Sequence, residues 1–86
     1  MNTASPTGNE VAQWIVSYLA RHPGAADTPR GIQRWWLAPY HGEAPLDVVE
    51  QALQQLEGSQ VVEKRKKKSR GVPDLYGRGP AFPAQP

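Results

Sequence analysis

Six of the ten basic side chains fall within seven consecutive positions: Lys64, Arg65, Lys66, Lys67, Lys68 and Arg70. The chemistry open to such a run is electrostatic. A focused set of cations settles against phosphates and releases their counterions, giving a salt slope of about −0.9 per neutralised phosphate. The rest of the chain holds four cations against eight carboxylates, a formal −4, so the net +2 hides a basic segment on an acidic body. The plain structural use of such a run is to protect a sheet edge, a task lysines serve. Six cations in seven residues exceed that need, and contact with nucleic acid is the expectation. In a eukaryotic host the same run reads as a nuclear-localisation signal.

The other reactive side chains offer less. There is no cysteine, hence no thiol nucleophile, disulfide framework or thiolate metal site. His22 and His41 have no further ligands at metal-like spacing, so neither a metal nor another cofactor is expected. With no Gly-rich phosphate loop and no pair of carboxylates on one apolar face, the chain is expected not to be an enzyme. Trp35-Trp36 raises the idea of a stacking platform for unpaired bases. Adjacent residues point about 100° apart on a helix, however, so one Trp is expected in the core with the other flanking it. Pro80, Pro83 and Pro86 have polyproline-II spacing, expected here in no more than a loose end.

The elements that position these residues follow from periodicity and end signals. Eighty-six residues make one domain, and so short a chain buries little of its surface. Its three Trp, three Tyr and aliphatic side chains must therefore supply the core. Residues 1–8 are expected to be flexible, 9–76 to form the domain, and the Pro/Gly-rich 77–86 to be a flexible tail. The polar opening lacks a secretory pattern and no apolar run spans a bilayer, which reads as a cytoplasmic protein, nucleoid-associated if bacterial and nuclear if eukaryotic.

Thr7-Gly8-Asn9-Glu10 predicts a capping box. From there Val11, Trp14, Ile15, Tyr18 and Leu19 form a helical stripe, with Trp14 in the core, up to the stop at Pro23-Gly24. Asp27-Thr28-Pro29 predicts a second helix start. Ile32, Trp35 and Trp36 form its apolar face, and it is expected to end by Ala38 because Pro39 restricts the residue before it. Residues 39–44 then read as a loop. The third helix is expected over 45–57, with Gly58 at the C′ position and an exposed face of Asp47, Glu50, Gln51, Gln54, Gln55 and Glu57. Residues 60–65 read as a strand, 66–71 as a basic turn, and 72–76 as a returning strand that Pro73 confines to an edge or bulge.

Helix, helix, helix, strand, basic turn, strand is an order that resembles the winged helix-turn-helix superfamily. The stretch DVVEQALQQLEGSQVVEKR, Asp47 to Arg65, is similar to the third helix and first wing strand of bacterial transcriptional regulators of that type. The resemblance covers roughly residues 9–76. It implies an α+β, mostly helical fold: a three-helix winged helix-turn-helix with a two-stranded β-hairpin wing. It further implies a third helix that reads the major groove and a wing, here Lys64 to Arg70, that touches phosphates. Gln51 and Gln54, whose amides can pair with adenine edges, and Arg34 would supply base or phosphate positioning.

Two features depart from that pattern. The third helix carries Asp47, Glu50 and Glu57 and no Arg or Lys, and the expected connection from Ala38 to Ala44 is longer than the usual three- or four-residue turn. The expected function is a DNA-binding module, a small transcriptional regulator with double-stranded DNA as partner. The alternative is a protein-interaction module whose acidic, amide-rich third helix contacts a protein.

Overall fold

A computed structural model describes residues 6–42, 44–65 and 74–82 of the chain. The first helix, α1 (Gly8–Arg21), starts where its capping box dictates. The Thr7 hydroxyl accepts from the Glu10 amide at 3.1 Å, and the Glu10 carboxylate accepts from the Thr7 amide at 2.9 Å. Two of the unpaired amide donors at the helix start are thereby satisfied. Val11, Ile15 and Leu19 are fully buried. Trp14 and Tyr18, on the flank of the same stripe, are half-buried. Trp14 is thus a rim residue rather than the core residue its spacing predicts.

A two-residue strand, β1 (Ala26–Asp27), follows the Pro23-Gly24 stop. The second helix then starts at the expected place. Thr28 is the N-cap, accepting from the Gly31 amide at 3.1 Å, and Pro29 holds the first helical position. This helix, α2, is a continuous run of three stretches: Pro29–Gly31, a π-helical Ile32–Leu37, and Ala38–His41. It therefore passes through Pro39 instead of ending before it. In a regular α-helix the ring of Pro39 would press on the carbonyl four residues back. Here the turn before it is widened, and the Ala38 amide donates to Gln33 oxygen, five residues back. The helix ends at Gly42, whose φ of 80° suits a residue without Cβ.

This extension also changes the connection between helices. Residues 42–45, not 38–44, separate α2 from the third helix, α3 (Leu46–Gly58), which is the turn length typical of a helix-turn-helix. Gln33 ties the two together by donating its side-chain amide to the Ala44 carbonyl at 2.6 Å. Ile32, Trp36 and Leu37 are the buried residues of the π-helical stretch, while Trp35, expected on the apolar face, is exposed. One Trp in the core and its neighbour outside is the outcome the helical geometry predicts for such a pair.

Val49, Ala52, Leu53 and Leu56 bury the inner face of α3, chiefly against α1. Pro45 is the N-cap residue rather than part of the first turn. The left-handed turn after the helix falls on Gln60, φ 65°, rather than on Gly58. There the Gln60 amide donates to Glu57 and the Val61 amide to Leu56, satisfying carbonyls of the last turn.

The chain then enters β2 (Val62–Arg65) and, after residues 66–73, which lie outside the described residues, β3 (Leu75–Arg78). The returning strand sits later than the expected 72–76. The sheet order is β1-β3-β2, both pairs antiparallel, so β1 adds a third strand that sequence periodicity does not reveal. Residues 79–82 continue in contact with the domain. Gly79 donates to Val61 and Ala81 to Gln60, and Phe82 packs half-buried against the core. Part of the stretch read from composition as a loose tail is therefore fixed by hydrogen bonds.

The result is an α+β fold of three helices followed by an antiparallel hairpin, a winged helix-turn-helix topology. No polar or charged residue is buried among the described residues, so apolar contact alone fills the interior. No helix is long and apolar enough to cross a membrane among the described residues.

Candidate nucleic-acid interface

The first two cations of the basic run, Lys64 and Arg65, stand on β2, an outer strand of the sheet. Register decides which way each points. Opposed residues share a sheet face, so Val62, Lys64, Tyr76 and Arg78 lie on one side, and Glu63, Arg65, Leu75 and Gly77 on the other. Val62 is buried, so the first side is the one turned toward the helices.

On that side Lys64 Nζ lies 4.0 Å from Asp74 Oδ2 and 5.9 Å from the centre of the Tyr76 ring. On the other side Arg65 Nε lies 3.4 Å from Glu63 Oε2, and its guanidinium lies across Gly77. A methyl group on Gly77 would stand 3.1 Å from Arg65 Cζ, so the glycine makes room for that cation. Both charged pairs are substantially exposed to water. Pairs of this kind contribute roughly 0–1 kcal/mol, so a phosphate can take either cation from its carboxylate at little cost. Lys66, Lys67, Lys68 and Arg70 lie outside the described residues.

Gln51 and Gln54 are exposed on α3, as expected, and Asp47 and Glu50 are exposed beside them. Gln51 leans toward the start of α1, its side-chain oxygen 3.9 Å from where a methyl on Gly8 would stand. Gln55 is held there too, its amide donating to the Asn9 side-chain oxygen at 3.2 Å. Arg34 is exposed on the π-helical stretch of α2. The carboxylates on α3 thus share the surface with the amides that were to read bases, and no cation on that helix offsets them.

A different arginine stands where the helices meet the hairpin. Arg30, at the start of α2, joins Thr28, Leu46, Glu50, Asp74 and Tyr76 around a shallow hollow. Sequence reasoning passed over Arg30 because nothing local distinguishes it, although its place directly after Pro29 fixes it on the first turn of the helix. Arg78 was also missed. It is exposed on β3, 5.1 Å from the Phe82 ring centre, and its position in a Gly/Pro-rich stretch hid its place on a strand. No group of three metal-ligating residue types occurs among the described residues.

No protein-family model, no curated protein and no solved structure matches this chain.

Proposed function

We propose that this domain is a DNA-binding module of winged-helix type, a small transcriptional regulator whose wing supplies most of the affinity. One observation carries the reading: exposed Lys64 and Arg65 on an outer strand lead, in the sequence, directly into Lys66, Lys67, Lys68 and Arg70. Cations clustered in one short segment gain affinity by counterion release and need no base contact to do so. Gln51, Gln54 and Arg34 are secondary contacts in this reading. Asp47 and Glu50 keep α3 from seating deeply among phosphates, so binding is expected to be weakly sequence-specific and strongly salt-dependent.

The test is a salt titration of duplex binding. Replacing Lys66, Lys67 and Lys68 together by Ala is expected to flatten the slope of log affinity against log salt by about 2.7. Unchanged DNA affinity in that triple variant overturns the proposal.

A second reading is a protein-interaction module on the same fold. Its support is the acidic, amide-rich face of α3 together with two exposed aromatics on α2, Trp35 and Tyr40, at 66% and 63% exposure. Large exposed aromatics are common anchors of protein interfaces. A partner retained after nuclease treatment and lost in an Asp47→Asn, Glu50→Gln double variant favours this reading over the first.

A further inference from the structure

The contact between α1 and α2 encloses a cleft of about 270 Å³ lined by aromatic rings. Two stacked pairs form it. Trp14 and His41 lie parallel, with ring centres 4.1 Å apart, and Tyr18 and Trp36 lie nearly parallel at 4.6 Å. His22 closes on Tyr18 at 4.4 Å. Ser17, Arg21 and Tyr40 complete the lining. Every lining residue comes from α1, its cap or α2, so the cleft is separate from the exposed face of α3 and from the hairpin.

Two independent observations mark this as more than packing. First, the π-helical stretch Ile32–Leu37 contributes Trp36 to the cleft wall and immediately precedes the helical turn that contributes Tyr40 and His41. Widened turns of this kind are rare and occur often at functional sites. Here the stretch carries α2 on through Pro39 to Tyr40 and His41, and His41 meets Trp14. A helix ending at Ala38 would leave the cleft without that wall. Second, the lining carries one fixed charge, the Arg21 guanidinium. It combines a guanidinium and two imidazoles with a Ser hydroxyl, and no carboxylate lines it among the described residues. An aromatic cage for an organic cation uses the negative faces of its rings, and Arg21 opposes that use. The same set suits an anion, with rings to stack on and Arg21 to pair with a carboxylate or phosphate. The volume, below that of most drug-sized pockets, admits one ring system with one anionic group.

We propose that the cleft binds a planar aromatic anion, its ring against the Trp14, Tyr18 and Trp36 side chains and its charged group on Arg21. Two sources share this chemistry, a free aromatic acid and a nucleotide. The site stands apart from the DNA-binding reading and does not depend on it.

The test follows the three indole N–H signals of the isotopically labelled full chain by NMR during titration with benzoate, thymidine 5′-monophosphate and uncharged benzamide. Either anion is expected to shift the Trp14 and Trp36 indoles saturably while leaving that of exposed Trp35 in place. The tighter of the two anions tells which source the cleft fits. Arg21 is exposed, so Arg21→Gln is expected to keep the fold, read from its unshifted amide spectrum, and to weaken binding at least about tenfold. Arg34→Gln, outside the cleft, is expected to leave it unchanged. Three results overturn the proposal: no saturable shift with either anion, benzamide binding as tightly as benzoate, or unaltered binding in Arg21→Gln.

Discussion

Tyr18 lies 4.6 Å from Trp36 in a nearly parallel stack, and Trp36 is only 4% exposed. At the hairpin, by contrast, Lys64 and Asp74 approach no closer than 4.0 Å, in water, above strands held by backbone pairing. The first region resists change because its contacts are apolar, buried and unaffected by salt. The second tolerates change because its side-chain contacts are polar, exposed and screened. The contrast indicates which residues are committed to the fold and which remain available to a ligand. Replacing a buried ring at the α1–α2 contact should register in stability, whereas replacing an exposed charge, on the hairpin or at Arg21, should register in binding.

The most severe test of that division uses two neighbours. Trp36→Ala removes a buried ring from the Tyr18 stack and is expected to cost about 3–5 kcal/mol, enough to unfold much of so small a domain. Trp35→Ala is expected to stay within about 0.5 kcal/mol. Urea unfolding of both variants checks this, and equal losses would break the comparison. Next in size is Gly79→Ala, at the hairpin's end. A methyl there runs into the Gln60 carbonyl oxygen and the Val62 carbonyl carbon, both backbone atoms that cannot yield. The expected loss is about 1–3 kcal/mol. Gly24→Ala serves as its control, because nothing lies within 4 Å of the added group. The chain after β3 is thus closely packed against the backbone of Gln60 and Val62, even where the side chains of β2 are exposed.

The same contrast explains what could be read from the residues alone. α1 and α3 were legible because their signals are local: a capping box at Thr7–Glu10, a stripe at Val11, Ile15 and Leu19, and a second stripe of Val48 or Val49 with Ala52, Leu53 and Leu56, of which the structure buries Val49. Charge clustering at Lys64–Arg70 is local as well, which is why the basic run stands out. The α1–α2 cleft joins Trp14 to His41 and Tyr18 to Trp36, residues far apart in the chain, and no periodicity announces such pairs. Nor does any propensity signal that α2 passes through Pro39 by widening a turn. β1 escaped notice for a related reason. Ala26 and Asp27 have no strand character of their own and become a strand only by pairing with Gly77 and Tyr76.

The turn after α3 offers a milder prediction of opposite sign. Gln60 holds φ 65°, a conformation that costs an L-residue free energy. Its hydrogen bonds there are made by the backbone. Gln60→Gly keeps those bonds and relieves the strain, although glycine loses more entropy on folding. Relief of about 1–2 kcal/mol against an entropy cost of about 0.4–1 kcal/mol leaves a small net gain, read as a raised urea midpoint at unchanged slope.

The smallest stability effect should accompany a visible change in binding. Asp74 competes with phosphate for Lys64, so Asp74→Asn removes a rival anion and frees the cation. Its cost to folding is expected to stay below about 0.5 kcal/mol, because the pair is long and exposed. Duplex affinity at low salt is expected to rise roughly two- to fivefold, since one exposed charge about 4 Å away is worth about 1 kcal/mol in water. Lys64→Ala should instead lower the salt slope by about one. If both variants bind duplex as the parent does, β2 does not face the phosphates, and the hairpin's charge pattern serves only to protect its outer edge.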